Sequence, residues 1–439
     1  GKHPLKSSGG YATYTYALCK SLIELGHDVN TIVISDNNHI EESEIGRIHN
    51  VTSRFLPKKS STTLTSTFFL WSHILDSSLR DLIENEKGKC VIYGIGPWGY
   101  AGIRARQKFK EKVKLVNVFF TAFPHESYWL MKGSDVKDYG LISRIKYSLI
   151  YLYARIILSV FEKASVIKSD RVLVHYDSAK NWLVTEYNVN PQMISKYPYY
   201  TEIYSKNSLY TKYDVSFTST IKHDNTSKKF TCVSICRQEP RKGINYFLHA
   251  LKKLKTKNVS IHAIVVGSGD LLEKNIELAK KLQIDDMVEF TGFVPQVLDI
   301  LNRADVFVQP SLQEGSGSLS ILEAFLSGVP VITTNCDGLP EDIQHGFNGL
   351  LIPRMNSQAI SDSILNLYND RELSKKLAEN AKKIVMLLKE EEKIDVNLLL
   401  AACYLHDISH SAYSPGLEDL KSFMTNCGRN LYSTSSKFD

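Results

Sequence analysis

Short apolar runs, each closed by glycine, proline or a polar cluster, recur along most of the chain. Between them lie stretches in which apolar residues return every three or four positions. The first pattern reads as buried strands and the second as amphipathic helices. Residues 11–25 have the helical pattern and 26–34 lead into a strand; further strands are predicted at 89–93, 113–120 and 171–175, the last followed by a helix from Ser178. A polar, tyrosine-rich interval at 197–225 interrupts the alternation. It resumes with strands at 230–236 and 261–266, a helix from Ile244, a loop at 288–295, and helical pattern over 357–390. The most informative stretch is 305–334: an apolar strand stopped by Pro310, a loop Glu314-Gly-Ser-Gly-Ser318, a helix over 319–327 and a second strand. A glycine-rich loop between the carboxyl end of a strand and a helix exposes N–H groups and a positive helix end, which suits an anionic ligand such as a diphosphate.

Strands alternating with helices predict an α/β chain of two doubly wound, Rossmann-like domains. The expected divisions are 1–205, 206–365, helices at 366–390, which the resemblance below implies cross back, and a tail at 391–439. A helix follows Gly9-Gly10 directly, and the family resemblance carried by the motifs below implies that the central first strand of the first domain is missing.

Several motifs in order carry a resemblance. The run Glu314-Gly through Ile-Leu-Glu323-Ala, then Gly328-Val-Pro, Gly338-Leu-Pro-Glu341 and Asn348-Gly-Leu-Leu, resembles the donor-site signature of retaining, GT-B-fold glycosyltransferases of family 4. Arg237-Gln-Glu-Pro-Arg-Lys242-Gly243, after the 230–236 strand, is similar to the family's basic loop, with Cys236 replacing its first glycine. The resemblance implies a nucleotide-sugar donor on the second domain, UDP- or GDP-linked, and a glycan, lipid or small-molecule acceptor on the first. It implies that Arg237 and Lys242 contact the diphosphate, that Glu314 holds sugar hydroxyls, and that Glu323 holds the ribose. The loop Gly315, Ser316, Gly317, Ser318 and the glycines Gly9, Gly10 and Gly292 would line the donor, and His125 the acceptor side. No cofactor or metal is required. One departure stands out: residues 315–322, eight of them, separate the two glutamates, where the family has seven. Ser320 and Glu323 also have capping-box spacing, so Glu323 could simply cap its helix. Arg241 reads as a surface residue.

Composition changes this picture little. In 439 residues, 23% charged and 43% hydrophobic is ordinary for a globular chain, and a net charge of +6 suits anionic nucleotides or a membrane surface without singling out nucleic acid. Seven scattered cysteines suggest reduced thiols and a cytoplasmic setting. The segment 140–167 is interrupted by Arg144, Lys146, Arg155 and Lys163, too often to span a bilayer. It is expected to be a core helix with a solvated face; the alternative is a basic amphipathic helix making a peripheral membrane contact.

The tail departs from the rest. Around His406-Asp407 it resembles the core helix of HD-domain phosphohydrolases, but no upstream histidine is found after His345, so a complete metal site is not expected. Other function classes are a non-catalytic partner subunit keeping the fold, and an NAD-dependent dehydrogenase. Gly267-Ser-Gly269 could begin a dinucleotide fingerprint, yet Leu272 holds its third glycine position.

Overall fold

Two lobes of parallel sheet and helix make up the computed structural model, which describes residue 5 and residues 10–52, 68–196, 229–294, 297–315 and 317–391. These all lie within one compact unit, Gly1–Lys393. The first lobe holds two sheets. In one, β1 (Asn30–Ile34) runs parallel to β3 (Gly46–Val51), which pairs antiparallel with β2 (His39–Ser43). In the other, β4 (Cys90–Ile95), β5 (Val113–Phe119), β6 (Arg171–Val174) and β7 (Ile194–Lys196) are parallel neighbours in that order. Among the described residues β1 pairs only with β3, and β4 only with β5.

The second lobe is one six-stranded parallel sheet. Its strands are β8 (Phe230–Ile235), β9 (Ile261–Val266), β10 (Val288–Gly292), β11 (Val306–Gln309), β12 (Val331–Thr334) and β13 (Leu350–Ile352). Their order across the sheet is β10-β9-β8-β11-β12-β13, the doubly wound arrangement in which direction of growth reverses between β8 and β11. Both faces are covered, which is why these strands read as nearly continuous apolar runs. Helix Ile244–Thr256 buries Phe247, Leu248, Leu251 and Leu254 on one face, and Ile321, Leu322 and Phe325 cover the other. Helix Arg371–Glu391 adds Leu377 and Ala381 to these two cores.

The segment 140–167 departs from expectation. It is helical over Val136–Tyr153, with a kink at Gly140 (φ +79°), and over Ser159–Ile167, joined by a π-helical turn at Ala154–Leu158. Its outward face is apolar where a solvated polar face was expected.

Candidate functional site

The loops after β8 and β11 meet at the point where the sheet order reverses. Two backbone features fix their alignment. Gly243 has φ +66°, and a Cβ there would collide with the carbonyl oxygen of Pro310. The Leu312 N–H also donates to the Arg241 carbonyl at 2.7 Å. A left-handed, side-chain-free residue is therefore needed for the two strand ends to approach.

That approach brings Lys242 onto Glu314. Lys242 Nζ donates to both Glu314 oxygens at 2.6 Å, and the carboxylate is only 5% exposed. Gln309 Nε2 at 2.5 Å and Ser311 Oγ also donate to Glu314 Oε1. Ser318 Oγ in turn donates to Gln309 Oε1 at 2.7 Å, so the start of helix Leu319–Leu326 is tied to the same network. A buried carboxylate with this many donors is fixed in place.

The two arginines of the basic loop are the reverse of the surface assignment made for Arg241. Arg237 pairs with Glu239 at 2.9 Å but keeps 54% of its side chain exposed. Arg241 is 14% exposed, with Nε 3.2 Å from both Glu126 of the first lobe and Glu239, and with NH1 donating to Gln313 Oε1 at 3.1 Å. It is a lobe-to-lobe tie, buried because Glu126 lies across the interface. Burial alone would raise the Glu239 carboxyl; Arg241, Arg237 and Lys242 outweigh it and hold the group below its ordinary value.

The first lobe closes against the β11 loop. Asp337, after β12, accepts from the backbone N–H of Glu314 at 2.9 Å and of Gly315 at 3.0 Å through Oδ2. Its other oxygen lies 3.0 Å from His125 Nε2, on helix Phe123–Gly133. Burial would raise the Asp337 carboxyl, but the His125 hydrogen bond and charge, with the two N–H groups, hold it below its usual value. The loop glycines are contact residues: a Cβ on Gly315 would press on Thr121, and one on Gly317 would collide with the Tyr176 ring. Gln313 Nε2 donates to Thr121 Oγ1 at 2.9 Å, and Tyr176 Oη to Asp342 at 2.7 Å. Glu341 accepts from the N–H groups of Asp177 and Ser178 at 2.8 and 2.9 Å, capping helix Asp177–Tyr187 from the opposite lobe. Lys196 bridges Asp177 and Glu341; burial opposes its charge, but these two partners carry it up to about 12.

The remaining sequence candidates are distributed as follows. Glu323 is 9% exposed within helix Leu319–Leu326. Ser320 lies inside that helix and Ser318 occupies the N-cap, so the alternative reading, a capping box of Ser320 and Glu323, does not hold. Gly292 has φ +68° with open space where a Cβ would stand, and its carbonyl accepts from Gly267 at 2.7 Å. Gly10 opens helix Gly10–Glu24. Gly9, Ser316, His406 and Asp407 lie outside the described residues. Among the described residues no group of three or more His, Cys, Asp or Glu could hold a metal ion. Gly267 and Gly269 make their close approach to the chain's own backbone at Cys236 and Gln238. Sequence reasoning missed Asp337, Gln309, Glu239, Tyr176 and Thr121. Two of these had a signal: Glu239 lies inside the basic-loop motif, and Asp337 directly before Gly338-Leu-Pro-Glu341.

Comparison with known proteins agrees with this architecture. Residues 217–384 match the family model "Glycosyl transferases group 1", and residues 8–196 match "Glycosyltransferase Family 4". Over 153 residues the chain is 33% identical to the N-acetyl-alpha-D-glucosaminyl L-malate synthase of Bacillus anthracis, covering 35% of this chain and 40% of that protein. Over 152 residues it is 34% identical to a GDP-mannose-dependent alpha-(1-6)-phosphatidylinositol monomannoside mannosyltransferase of Mycobacterium tuberculosis, covering 32% and 39%. The alignments thus span less than half the length of these curated relatives. Among solved structures, sucrose-phosphate synthase from Thermosynechococcus elongatus superposes with a TM-score of 0.69 at 17% identity, over 91% of this chain and 94% of that one. Anabaena HepE in complex with UDP gives 0.62 at 16%, over 90% and 98%. The chain has the GT-B glycosyltransferase fold, with a Glycosyltransferase Family 4 match in its first lobe and a group 1 match in its second.

Proposed function

We propose that the protein is a glycosyltransferase that moves a sugar from a nucleoside-diphosphate sugar to an acceptor hydroxyl, with retention at the anomeric carbon. The observation that carries this reading is the Lys242–Glu314 pair at the switch point of the parallel sheet, with Arg237 exposed beside it. Ligands of open α/β sheets bind at such a point.

In this reading Arg237 and Lys242 hold the diphosphate. A guanidinium grips phosphate oxygens through two N–H groups and an ammonium adds a compact charge. The N–H groups of Glu314 and Gly315 already serve Asp337, so backbone donors for the ligand come from Gly317 onward, at the start of helix Leu319–Leu326. Glu314 orients sugar hydroxyls and Glu323 the ribose. The bond from the anomeric carbon to the diphosphate oxygen breaks, and the acceptor oxygen bonds to that carbon on the same face. The acceptor's proton passes to the departing diphosphate. Negative charge grows on the diphosphate, and Arg237 and Lys242 stabilise it. His125 faces the acceptor side, where a glycan, lipid or small molecule supplies the hydroxyl. The two basic residues supply the positive charge that a divalent cation would otherwise bring.

A thermal-shift series with UDP- and GDP-sugars tests this reading, because a ligand that binds only the native state raises the melting temperature. At least one donor should raise it in the parent chain and fail to do so in Lys242→Ala. No response to any nucleotide sugar would count against the proposal.

A further inference from the structure

The helical element from Val136 to Ile167 is turned the opposite way to the one that burial alone would select. Its inward side chains include Tyr139, Ser143 and Tyr147. They meet polar groups of the second lobe: Tyr139 Oη donates to Asn275 at 2.8 Å, and Lys274 Nζ donates to the Tyr139 carbonyl at 2.9 Å and to Ser143 Oγ. The outward face carries Ile142, Ile145, Leu149, Leu152, Ile156 and Val160, every one of them more than half exposed and Ile142 84% exposed. Intervals of three and four residues place them on a single stripe. It runs for roughly 27 Å at 1.5 Å per residue. Isolated exposed apolar residues are normal on a protein surface, but a continuous stripe of this length marks an interaction site.

The charges beside the stripe identify the partner. The exposed charged side chains of the element are cations, Lys137, Lys146 and Arg155. Helical geometry sets Lys146 and Arg155 on opposite borders of the stripe. Asp270 of the second lobe faces Lys146 at 2.5 Å. The element's own acids are engaged elsewhere: Asp138 accepts from Asn245 and His249, and Glu162 is buried. An apolar stripe with cationic borders matches a bilayer surface, with acyl chains beneath the stripe and anionic headgroups at its edges. A second copy fits poorly, since a two-fold contact would set the same cations against each other. Among the described residues no helix is long and apolar enough to cross a membrane.

We propose that this face docks the protein on an anionic phospholipid bilayer, with the helix lying in the interface. The inference stands on the surface alone and does not depend on the reaction. Helix Phe123–Gly133, which carries His125, immediately precedes the element, so docking would hold the cleft near the lipid.

Sedimentation of the whole chain with vesicles tests it. Binding is expected to phosphatidylcholine vesicles containing phosphatidylglycerol, to be weaker on phosphatidylcholine alone, and to fall with added salt. The combined substitution Ile145→Ser, Leu149→Ser and Leu152→Ser should lower the partition coefficient by more than about tenfold while leaving the melting temperature near that of the parent. Arg155→Glu should weaken binding to the anionic vesicles specifically. The proposal is overturned if the parent does not bind the anionic vesicles, or if the triple variant binds them as well as the parent. It is equally overturned if the parent is a dimer in sedimentation velocity that the triple substitution makes monomeric.

Discussion

His125 and Asp337, from opposite lobes, meet with 3.0 Å between Nε2 and Oδ1. The second oxygen of the same carboxylate fixes the N–H groups of Glu314 and Gly315 in the β11 loop. One side chain therefore couples lobe contact to loop shape. Asp337→Asn should cost about 1.5–3 kcal/mol, the range for hydrogen bonds to a charged group. His125→Ala removes a single arm and should cost less. The pH dependence has a defined sign. The folded Asp337 carboxyl is held below its ordinary value, so its contribution is complete above about pH 4 and is lost as pH falls through the depressed folded value. Urea unfolding of parent and Asp337→Asn should diverge at neutral pH and converge in acid. Curves separated by a constant amount at every pH would rule out this role for the charge.

Lys242 and Glu314 form a buried pair, 12% and 5% exposed. Removing one partner strands the other charge. Lys242→Met should therefore cost about 3–5 kcal/mol, and Lys242→Met with Glu314→Leu should be more stable than Lys242→Met alone. Denaturant midpoints of the two singles and the double measure the coupling. Strict additivity would mean the pair is not energetically linked.

Much of the second lobe could be read from its residues, and the reason is physical. Its strands are covered on both faces, so runs such as Phe230–Ile235 and Val306–Gln309 are almost wholly apolar and bounded by clear stops. The β2–β3 hairpin escaped detection because His39–Ser43 is polar and mostly exposed, leaving no alternation to see. Within the site, motifs singled out Lys242, Glu314 and His125 as candidates. The contacts of Asp337 and Tyr176 could not be read, because they arise where the two lobes touch, and spacing within one lobe carries no information about the other. Arg241 was misjudged for the same reason: its partner Glu126 is across the interface. The Val136–Ile167 element was misjudged because periodicity locates an apolar stripe but does not say which way it faces.

Glu162 supplies a pH test away from the candidate donor residues. It accepts the Phe123 N–H at 3.1 Å, at the start of the helix that carries His125, and the Tyr187 hydroxyl at 2.8 Å. Full burial, only partly offset by these two donors, pushes its carboxyl up to about 8. The folded state thus binds a proton that the unfolded state has released, so stability should decline from about pH 4.3 upward and level off once pH passes the folded value. Glu162→Gln should flatten that decline, seen as a smaller difference between melting temperatures measured in mildly acidic and mildly alkaline buffer. An unchanged slope would mean the group is ionised in the fold.

The central claim is that Arg237 and Lys242 stabilise charge developing on a sugar-nucleotide diphosphate. Its most direct test is the rate at which nucleoside diphosphate is released from the nucleotide sugar that binds, compared between the parent and Arg237→Ala. Arg237 is largely exposed and pairs with Glu239, so its loss should leave the fold intact. The account predicts a fall in kcat of about a hundredfold to a thousandfold, with a smaller change in KM, as for removal of one donor to a developing oxyanion. Release at the parent rate by Arg237→Ala, or no release from any nucleotide sugar by the parent, would contradict it.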